Sequence, residues 1–220
     1  MIRFENVTKR YTETEPAVLR EVNFHIPPCG MAFLLGESGS GKTTILRLLL
    51  RELQADEGKV YVNGRDISKI KTRKLPEYRR KMGFIFQDFK LMEEQTVYDN
   101  VAIAKRITGA KEKDVRAMVT MALRTVGMEK DFYKPVAELS GGEQQKVCVA
   151  RAIAGNPCCI LADEPTGNLD SGQAREIMLL LERIHRMGIT VLIATHDMEA
   201  VSGMNYPRLY LENGGIWERK

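Results

Sequence analysis

Nine consecutive residues near position 40 have the types and spacing of a phosphate-binding loop. Three glycines among them let the backbone curl so that successive N–H groups point at phosphate oxygens. The lysine can reach the β- and γ-phosphates of a nucleotide, and the hydroxyl of the next threonine can ligate Mg²⁺. The pattern therefore predicts a site for a nucleoside triphosphate and Mg²⁺. In chain order its residues are Gly36, Glu37, Ser38, Gly39, Ser40, Gly41, Lys42, Thr43 and Thr44.

The residues on either side of this loop predict the elements that must position it. Residues 31–35 are all apolar and predict a buried strand. After the loop, leucine and isoleucine recur at helical spacing, which predicts a helix over residues 44–54. The N-terminus of that helix adds its partial positive charge to the site. A strand, a loop and a helix in this order are the context in which the motif binds phosphate.

Polar residues follow two further apolar strands. Residues 158–162 predict a strand that ends in Asp163 and Glu164, and residues 189–194 predict a strand followed by His196. Ligands of open α/β sheets bind at the carboxyl ends of the strands, so we expect these side chains beside the loop. Asp163 is suited to hold Mg²⁺, directly or through water, and Glu164 to orient or deprotonate an attacking water. The predicted chemistry is hydrolysis of a phosphate bond, with His196 as a third functional residue.

Strands that alternate with helices along the chain predict an α/β fold with a mainly parallel sheet. Near the N-terminus, alternation predicts a half-buried strand with Asn6 on the face of Ile2 and Phe4, opposite to Val7. This strand and a hairpin turn at residues 63–64 predict an added antiparallel sheet. We expect a single domain over residues 1–220, with a core formed by residues 1–87 and 155–220 and a helical subdomain at about residues 88–154.

The composition bears on partners and on compartment. The formal net charge of +4 does not indicate a nucleic-acid partner, and none is expected. No apolar run has the length of a membrane span, so we expect a cytosolic protein whose role at a membrane requires a partner chain. The four cysteines have no metal-ligand spacing, and we interpret them as small apolar residues in a reducing compartment.

Residues 69–81 are strongly basic. Seven lysines and arginines in this segment stand against the single acidic residue Glu77. The favoured interpretation is a solvated helix face. The alternative is a patch for anionic lipid or for an acidic partner. A nucleic-acid surface is disfavoured because Tyr78 is the only aromatic residue among these cations.

Several further motifs resemble those of ABC-type ATPases, in the same order and over essentially the whole chain. Residues 139–145 resemble the signature motif, and residues 158–165 resemble the Walker B segment. Residues 167–170, which end in Asp170, resemble the D-loop. The resemblance implies a P-loop NTPase (RecA-like) parallel-sheet core, an antiparallel β-subdomain and an inserted α-helical subdomain. It also implies hydrolysis of ATP to ADP and phosphate.

Single residues outside these motifs are placed like functional residues of the same family. Gln87 is placed like the Q-loop glutamine, which implies a role in catalysis and in holding Mg²⁺ together with Thr43 and Asp163. His196 is placed like the switch histidine. Tyr11 is placed like the aromatic residue that stacks on the adenine of ATP.

The resemblance further implies a homodimer that forms head to tail when ATP binds. ATP would lie between the phosphate-binding loop of one chain and Ser140, Gly141 and Gly142 of the other. A serine and two glycines at a helix N-terminus supply backbone N–H donors for an anion, which agrees with that role. Two acidic residues depart from the family pattern: Glu143 replaces a frequent glutamine, and Glu37 places a carboxylate near the phosphates.

Residues 79–91, 96–101 and 163–170 resemble the subgroup of these ATPases that acts in bacterial cell division. Such a subunit works with an integral membrane partner to control cell-wall hydrolases, and it is held peripherally at the cytoplasmic face of the inner membrane. By resemblance, the contact with this partner lies around residues 89–98. The same motifs occur in the ATPases of lipoprotein-release and efflux transporters, which is one alternative. A nucleotide-gated scaffold with little turnover is an alternative of another class.

Overall fold

The computed structural model describes residues 1–219, which form ten β-strands and six α-helices. The strands are β1 (Ile2–Lys9), β2 (Leu19–Ile26), β3 (Met31–Leu35), β4 (Glu57–Val62), β5 (Arg65–Asp66), β6 (Met82–Ile85), β7 (Cys159–Asp163), β8 (Thr190–Thr195), β9 (Arg208–Glu212) and β10 (Gly215–Arg219). The helices are α1 (Lys42–Leu49), α2 (Leu75–Arg79), α3 (Val97–Arg106), α4 (Glu112–Val126), α5 (Gly141–Ala154) and α6 (Ser171–Arg186).

Six strands form the central sheet in the order β10-β9-β3-β8-β7-β6. Strands β9, β3, β8, β7 and β6 run parallel, and β10 pairs antiparallel with β9. Every residue of β3 and β8 is buried, as expected for parallel strands covered on both faces. Phe33 packs on the face with α5 and α6, and Leu34 packs on the face with α1 and the second sheet. The predicted parallel-sheet core is confirmed.

The second sheet is antiparallel, with the strand order β2-β1-β4-β5. The predicted alternation along β1 is wrong after Phe4, because the register shifts between Phe4 and Val7. Asn6 has a φ of 49°, and its exposed side chain bonds to Asn23. Val7 is fully buried instead. A bulge of this kind inserts a residue and exchanges the two faces of the strand.

The helix after the phosphate-binding loop differs from the predicted one at both ends. Helix α1 begins at Lys42 rather than at residue 44, because Gly41 serves as its N-cap with a φ of 108°. The helix ends at Leu49 rather than at residue 54. Arg51 has a φ of 56°, a left-handed conformation that a right-handed helix cannot continue.

The helical region begins later than the expected position directly after Gln87. Residues 88–96 contain no helix, and Phe89 and Lys90 both have positive φ values of 54° and 51°. Helix α3 starts after Thr96, whose hydroxyl accepts a hydrogen bond from the Asp99 N–H. Helix α5 packs on the central sheet at β6, and α3 and α4 bury their apolar faces against α5 and against each other. Within residues 1–219, no helix combines the length and the apolar character that crossing a bilayer requires.

The basic segment is not the single helix face that the sequence favoured. Only α2 is α-helical, while Ile67–Lys69 and Thr72–Lys74 form 3₁₀ turns. The α-helix has proline at its start and ends after one turn and a half, so the cations do not lie along a single helix. This segment leads directly into β6 at the edge of the central sheet.

Candidate active site

The phosphate-binding loop connects β3 to α1, and two of its glycines are required by the packing of the chain itself. A Cβ atom on Gly36 would lie 2.6 Å from the Leu211 carbonyl oxygen and 2.7 Å from Ser40 Oγ. Gly41 has a φ of 108°, which favours glycine, and a Cβ atom there would lie 2.9 Å from Val18 Cγ1. The loop is therefore shaped by contacts within this chain.

Lys42 is the best-anchored cation of the site. Its side chain is 6% exposed, and its Nζ donates hydrogen bonds to the carbonyl oxygens of Gly36 (2.7 Å) and Glu37 (3.0 Å). The same Nζ lies 3.3 Å from Glu164 Oε1. The three oxygen partners fix the position of this buried ammonium group at the inner side of the loop.

Glu164 joins three elements at the carboxyl end of the sheet. Its backbone has a φ of 46°, and its N–H donates to the Ala194 carbonyl oxygen at 2.8 Å. Its Oε2 accepts from the His196 backbone N–H at 3.2 Å, and its Oε1 lies 3.0 Å from His196 Nδ1. A non-glycine residue held in the left-handed region directly after a buried strand is a strained feature of the kind found at functional sites.

The pKa of Glu164 is lowered. Burial alone would raise this pKa, but hydrogen bonds with His196 and Thr195 and the positive charge of Lys42 outweigh it. The carboxyl group is therefore ionised across the neutral range. An ionised carboxylate can accept a proton from a water molecule, whereas a neutral one cannot.

Asp163 differs from its neighbour although both are carboxylates at one strand end. Its Oδ1 accepts a hydrogen bond from the Thr43 hydroxyl at 3.3 Å. Burial raises its pKa, and the nearby Glu164 charge raises it further against the opposing effects of Thr43 and Lys42. A cation bound between Thr43 and Asp163 would relieve this penalty. The two oxygen ligands thus fit a Mg²⁺ ion that takes its remaining ligands from phosphate and water.

The donors in the loop also fit a bound nucleotide. Ser40 Oγ is buried and finds no hydrogen-bond partner within residues 1–219. An unbonded hydroxyl is costly unless a ligand bonds to it, and a phosphate oxygen is an acceptor of the right kind. In the same part of the chain, no group of three or more His, Cys, Asp and Glu side chains forms a metal cage of its own. The site therefore fits a metal that arrives with a phosphate.

Three other predicted site residues, Tyr11, Gln87 and Asp170, form hydrogen bonds within the chain. The Tyr11 hydroxyl lies 2.9 Å from Thr44 Oγ1, and its ring is half exposed beside the loop. The Gln87 carbonyl accepts from Asn168 Nδ2 at 3.1 Å, and no hydrogen bond joins its side chain to Thr43 or Asp163 among the bonds of residues 1–219. Asp170 caps α6 by accepting a hydrogen bond from the Gln173 N–H at 2.9 Å.

The predicted second phosphate site lies at the N-terminus of α5 and makes no hydrogen bond to the loop. Ser140 Oγ accepts from the Glu143 N–H at 3.4 Å, and Glu143 Oε2 accepts from the Ser140 N–H at 2.8 Å. These reciprocal bonds form a capping box. They lower the pKa of Glu143, since both the backbone and the hydroxyl of Ser140 favour its ionised form.

One residue of the signature segment has a role that the sequence reasoning missed. Gln145 is 1% exposed, and its Nε2 donates to the Pro165 carbonyl oxygen at 2.6 Å. It thereby connects α5 to the segment directly after Glu164. The signal in the sequence was a polar residue on the buried side of an amphipathic helix, where an unpaired amide would be costly.

Comparisons with known proteins identify the class of protein that this fold and site define. The family model described as ABC transporter matches residues 19–167. The chain superposes on MJ0796, described as a dimeric bacterial ABC transporter cassette, with a TM-score of 0.88 and 34% identity over 100% of this chain and 98% of that chain. The same cassette has also been solved in a post-hydrolysis state with ADP and phosphate bound. The chain belongs to the ABC transporter family and is an ATP-binding ABC ATPase.

Two curated relatives narrow the assignment within this family. The chain is 46% identical over 216 residues to the cell division ATP-binding protein FtsE of Escherichia coli K12, covering 98% of this chain and 97% of that protein. It is 45% identical over 216 residues to the protein of the same name from Mycobacterium tuberculosis, covering 98% and 94% of the two chains. The predicted resemblance to ABC-type ATPases is confirmed, and within the family the chain is FtsE-like.

Proposed function

We propose that this chain is the ATP-binding and ATP-hydrolysing subunit of a membrane ABC complex that acts in bacterial cell division. The observation that best supports ATPase activity is that Lys42 and His196 both contact Glu164 at the carboxyl end of the sheet. Thr43 and Asp163 lie beside them. The role in cell division is supported by the similarity to FtsE over nearly the full length of both chains.

In this proposal the residues at the site have distinct roles in the hydrolysis. The new bond joins a water oxygen to the γ-phosphorus, and the bond to the β,γ-bridging oxygen breaks to give ADP and phosphate. Glu164 orients the water and takes its proton, and His196 holds Glu164 and faces the solvent-exposed side of the site. Lys42 stabilises the negative charge of the phosphates. General-base catalysis of this kind contributes roughly 10²–10⁴-fold to the rate.

The remaining site residues bind the nucleotide and its metal. Thr43 and Asp163, with Gln87 from the neighbouring strand end, are the proposed ligands of Mg²⁺, which when bound neutralises charge on the phosphates. Backbone N–H groups of residues 36–44 surround the phosphates, and Tyr11 stacks on adenine. The Glu37 side chain is exposed, and among the bonds of residues 1–219 Lys42 donates to the Glu37 carbonyl oxygen rather than to its carboxylate.

A second copy of the chain completes the site in this proposal. No acceptor within residues 1–219 bonds to the N–H groups of Gly141 or Gly142. A Cβ atom on Gly141 would meet nothing closer than Leu169 Cδ2 at 3.7 Å, so packing within the chain does not require glycine there. Free N–H donors and an open approach fit a phosphate delivered by a partner chain. Asn168 and Leu169 are the residues nearest to a Cβ atom on Gly141, so Asp170, which follows them as the N-cap of α6, lies beside the same donors.

The membrane partner, an integral protein of the FtsX type implied by the resemblance, is proposed to contact residues 89–98. Arg151 fixes this loop by donating to the carbonyl oxygens of Phe89 (2.6 Å) and Lys90 (2.5 Å). A cavity of about 510 Å³, lined in part by Phe84 and Ile107, opens next to Arg151. Through this contact the cassette is held at the cytoplasmic face of the inner membrane.

Affinity capture from native membranes tests the proposal. Tagged Glu164→Gln, with ATP and Mg²⁺, is expected to retain one multi-span membrane protein together with cell-division or cell-wall proteins. Lys42→Ala is the control, because it is expected to lose the ATP-dependent part of the capture. Recovery of a lipoprotein-release or efflux assembly would overturn the division role while leaving the ATPase intact. A wild-type complex that binds ATP without measurable turnover would favour the nucleotide-gated scaffold.

A further inference from the structure

The basic segment has no role in the proposed function. It contains an excess of positive charge that is larger than the net charge of the whole chain. Residues 65–81 contain eight lysines and arginines and two acidic residues, which gives this segment a formal charge of +6. The whole chain has a formal charge of +4. The remainder of the molecule is therefore slightly acidic, and the net positive charge of the chain comes from this segment. We call residues 65–81 the basic surface.

Most of these cations have no acidic partner. Lys74 lies 2.9 Å from Glu77, and Lys69 lies 3.9 Å from Asp66. These two pairs use both acidic residues of the basic surface. No ion pair within residues 1–219 includes the other exposed cations, which are Arg65, Lys71, Arg73, Arg79, Arg80 and Lys81, although Arg79 bonds to backbone carbonyl oxygens.

The basic surface is rigidly held although its elements are short. The Tyr78 hydroxyl donates to the Leu49 carbonyl oxygen at 2.6 Å, and Arg79 donates to the carbonyl oxygens of Leu50 (2.8 Å) and Arg51 (3.0 Å). Ile67 and Ile70 anchor the preceding turns in the core. Since the backbone is fixed in this way, the free cations are presented as one surface without further ordering of the chain.

A cavity of about 340 Å³ opens within this surface. Its lining includes three cations, Arg65, Lys74 and Lys81, one carboxylate, Glu77, which pairs with Lys74, and apolar side chains such as Ile70 and Met82. Cations beside an apolar wall suit a ligand with an anionic group attached to an apolar body.

The last residue of the basic surface, Lys81, lies at the opposite end of the strands from the nucleotide. Lys81 directly precedes β6, and its carbonyl oxygen accepts from the Cys158 N–H at 2.8 Å, just before β7. Asp163 and Glu164 follow at the far end of β7. The two surfaces are thus separated by the length of these strands, roughly 13–17 Å at about 3.3 Å per residue.

We propose that the basic surface binds the anionic phospholipid headgroups of the bilayer and so holds the cassette against the membrane beside its integral partner. The inference rests on the proposed function in placing the chain at a membrane. A bilayer fits better than nucleic acid, because Tyr78 is the only aromatic residue of the segment and its hydroxyl is bonded to the core, which leaves no stacking platform. Lysines and arginines that are free of partners are attracted to an anionic leaflet.

Vesicle sedimentation of the 220-residue chain tests the proposal. The wild-type chain is expected to bind phosphatidylcholine vesicles that contain about 30 mol% phosphatidylglycerol, and not vesicles of phosphatidylcholine alone. Removal of four free cations in Lys71→Gln, Arg73→Gln, Arg80→Gln and Lys81→Gln combined is expected to weaken binding at least about tenfold. Binding of the wild-type chain is also expected to fall as salt is raised from about 0.1 to 0.5 M.

A matched control removes the same charge elsewhere. The combined variant Lys111→Gln, Lys113→Gln, Arg124→Gln and Lys130→Gln changes four exposed cations on and around α4, and it is expected to bind vesicles like the wild type. Both variants are expected to keep the wild-type affinity for ATP, which shows that they are folded. Equal loss in the two variants, or wild-type binding that ignores phosphatidylglycerol, would overturn the proposal. Tighter binding to duplex DNA through the same four residues would assign the surface to nucleic acid instead.

The outcome is separable from that of the proposed function. Vesicle binding by the isolated chain needs neither the membrane partner nor turnover. If capture retrieves the partner while vesicles are ignored, only the lipid contact is wrong. If vesicles are bound while no membrane partner is captured, the assignment to a membrane ABC complex is wrong.

Discussion

The two glycine-containing segments that the sequence assigns to phosphate differ in what requires their glycines. In the phosphate-binding loop, Gly36 and Gly41 are required by the chain itself, because a Cβ atom would approach Leu211 or Val18 too closely. At the start of α5, a Cβ atom on Gly141 has room within the chain, whereas one on Gly142 would lie 3.0 Å from Cδ of the Gln173 side chain. The first segment is therefore complete in one molecule. In residues 1–219, the second segment has unbonded backbone N–H groups, and space beside Gly141, that only a group from outside the chain can use.

The charged groups of the two segments differ in the same way. Lys42 and Glu164 are buried and joined to each other, with His196 on the same carboxylate. Ser140 is exposed, and its partner Glu143 belongs to the same turn. This contrast predicts that changes in the first segment abolish binding or chemistry in each chain, whereas changes in the second affect stability or the encounter with another copy.

The largest effect is expected from Glu164→Gln. Loss of the base is expected to reduce ATP turnover by roughly 10²–10⁴-fold, while the retained amide preserves most of the affinity for ATP. Turnover is measured by phosphate release, and affinity by calorimetry. Glu176→Gln is the matched control, because Glu176 pairs with Lys146 at 2.7 Å away from the site. Turnover at the wild-type rate would show that Glu164 is not the base.

The next effect in size is expected from Lys42→Ala. Removal of a buried ammonium group that bonds to charged phosphates is expected to weaken ATP binding by about 10–100-fold. Titration with a fluorescent ATP analogue measures this, and Lys146→Ala serves as the control lysine with a glutamate partner. An unchanged affinity would contradict the assignment of residues 36–44 as the phosphate site.

The smallest effect is expected from Glu143→Ala, which removes half of the capping box. Loss of a helix cap costs about 1 kcal/mol, so the melting temperature is expected to fall by about 2–4 °C at pH 7. The folded pKa of Glu143 is lowered, so its contribution to stability is present above the ordinary carboxyl pKa and is lost as pH falls through the lowered value. The difference from the wild type should therefore shrink in acid.

Calorimetric melting of both chains between pH 7 and pH 3 measures this change. Glu138→Ala is the control, since Glu138 is exposed and lies just before the box. Affinity of the isolated chain for ATP should not change in Glu143→Ala. A difference in melting temperature that is independent of pH would show that the carboxylate of Glu143 does not stabilise the helix through its charge.

The sequence predicted the fold class and the central strands well, because buried parallel strands are written as uninterrupted apolar runs such as residues 190–195. Three of its errors fall where single residues adopt positive φ values. Asn6 reverses the faces of β1, Arg51 follows the early end of α1, and Phe89 lies in a loop where helix was expected. The alternation of apolar and polar residues does not predict a positive φ at a single residue.

The candidate site was predictable as a set of residues but not as a geometry. The rule that ligands bind at the carboxyl ends of strands brings Asp163, Glu164 and His196 to the loop. The contacts of Lys42 and His196 with Glu164, and the anchoring of α5 through Gln145, depend on which strands are neighbours and on how a helix rotates against them. Those features arise only in the folded chain.

The central claim is that one molecule binds ATP and a second copy completes the site. Sedimentation velocity of Glu164→Gln tests it, with and without ATP and Mg²⁺. We expect Glu164→Gln to be a monomer without nucleotide and a dimer with ATP and Mg²⁺. We also expect that adding Gly141→Asp, which fits the fold but places a negative charge at the open donors, keeps the protein monomeric while ATP still binds. A dimer of unchanged affinity in that double variant, or a monomer of Glu164→Gln saturated with ATP, would contradict the account.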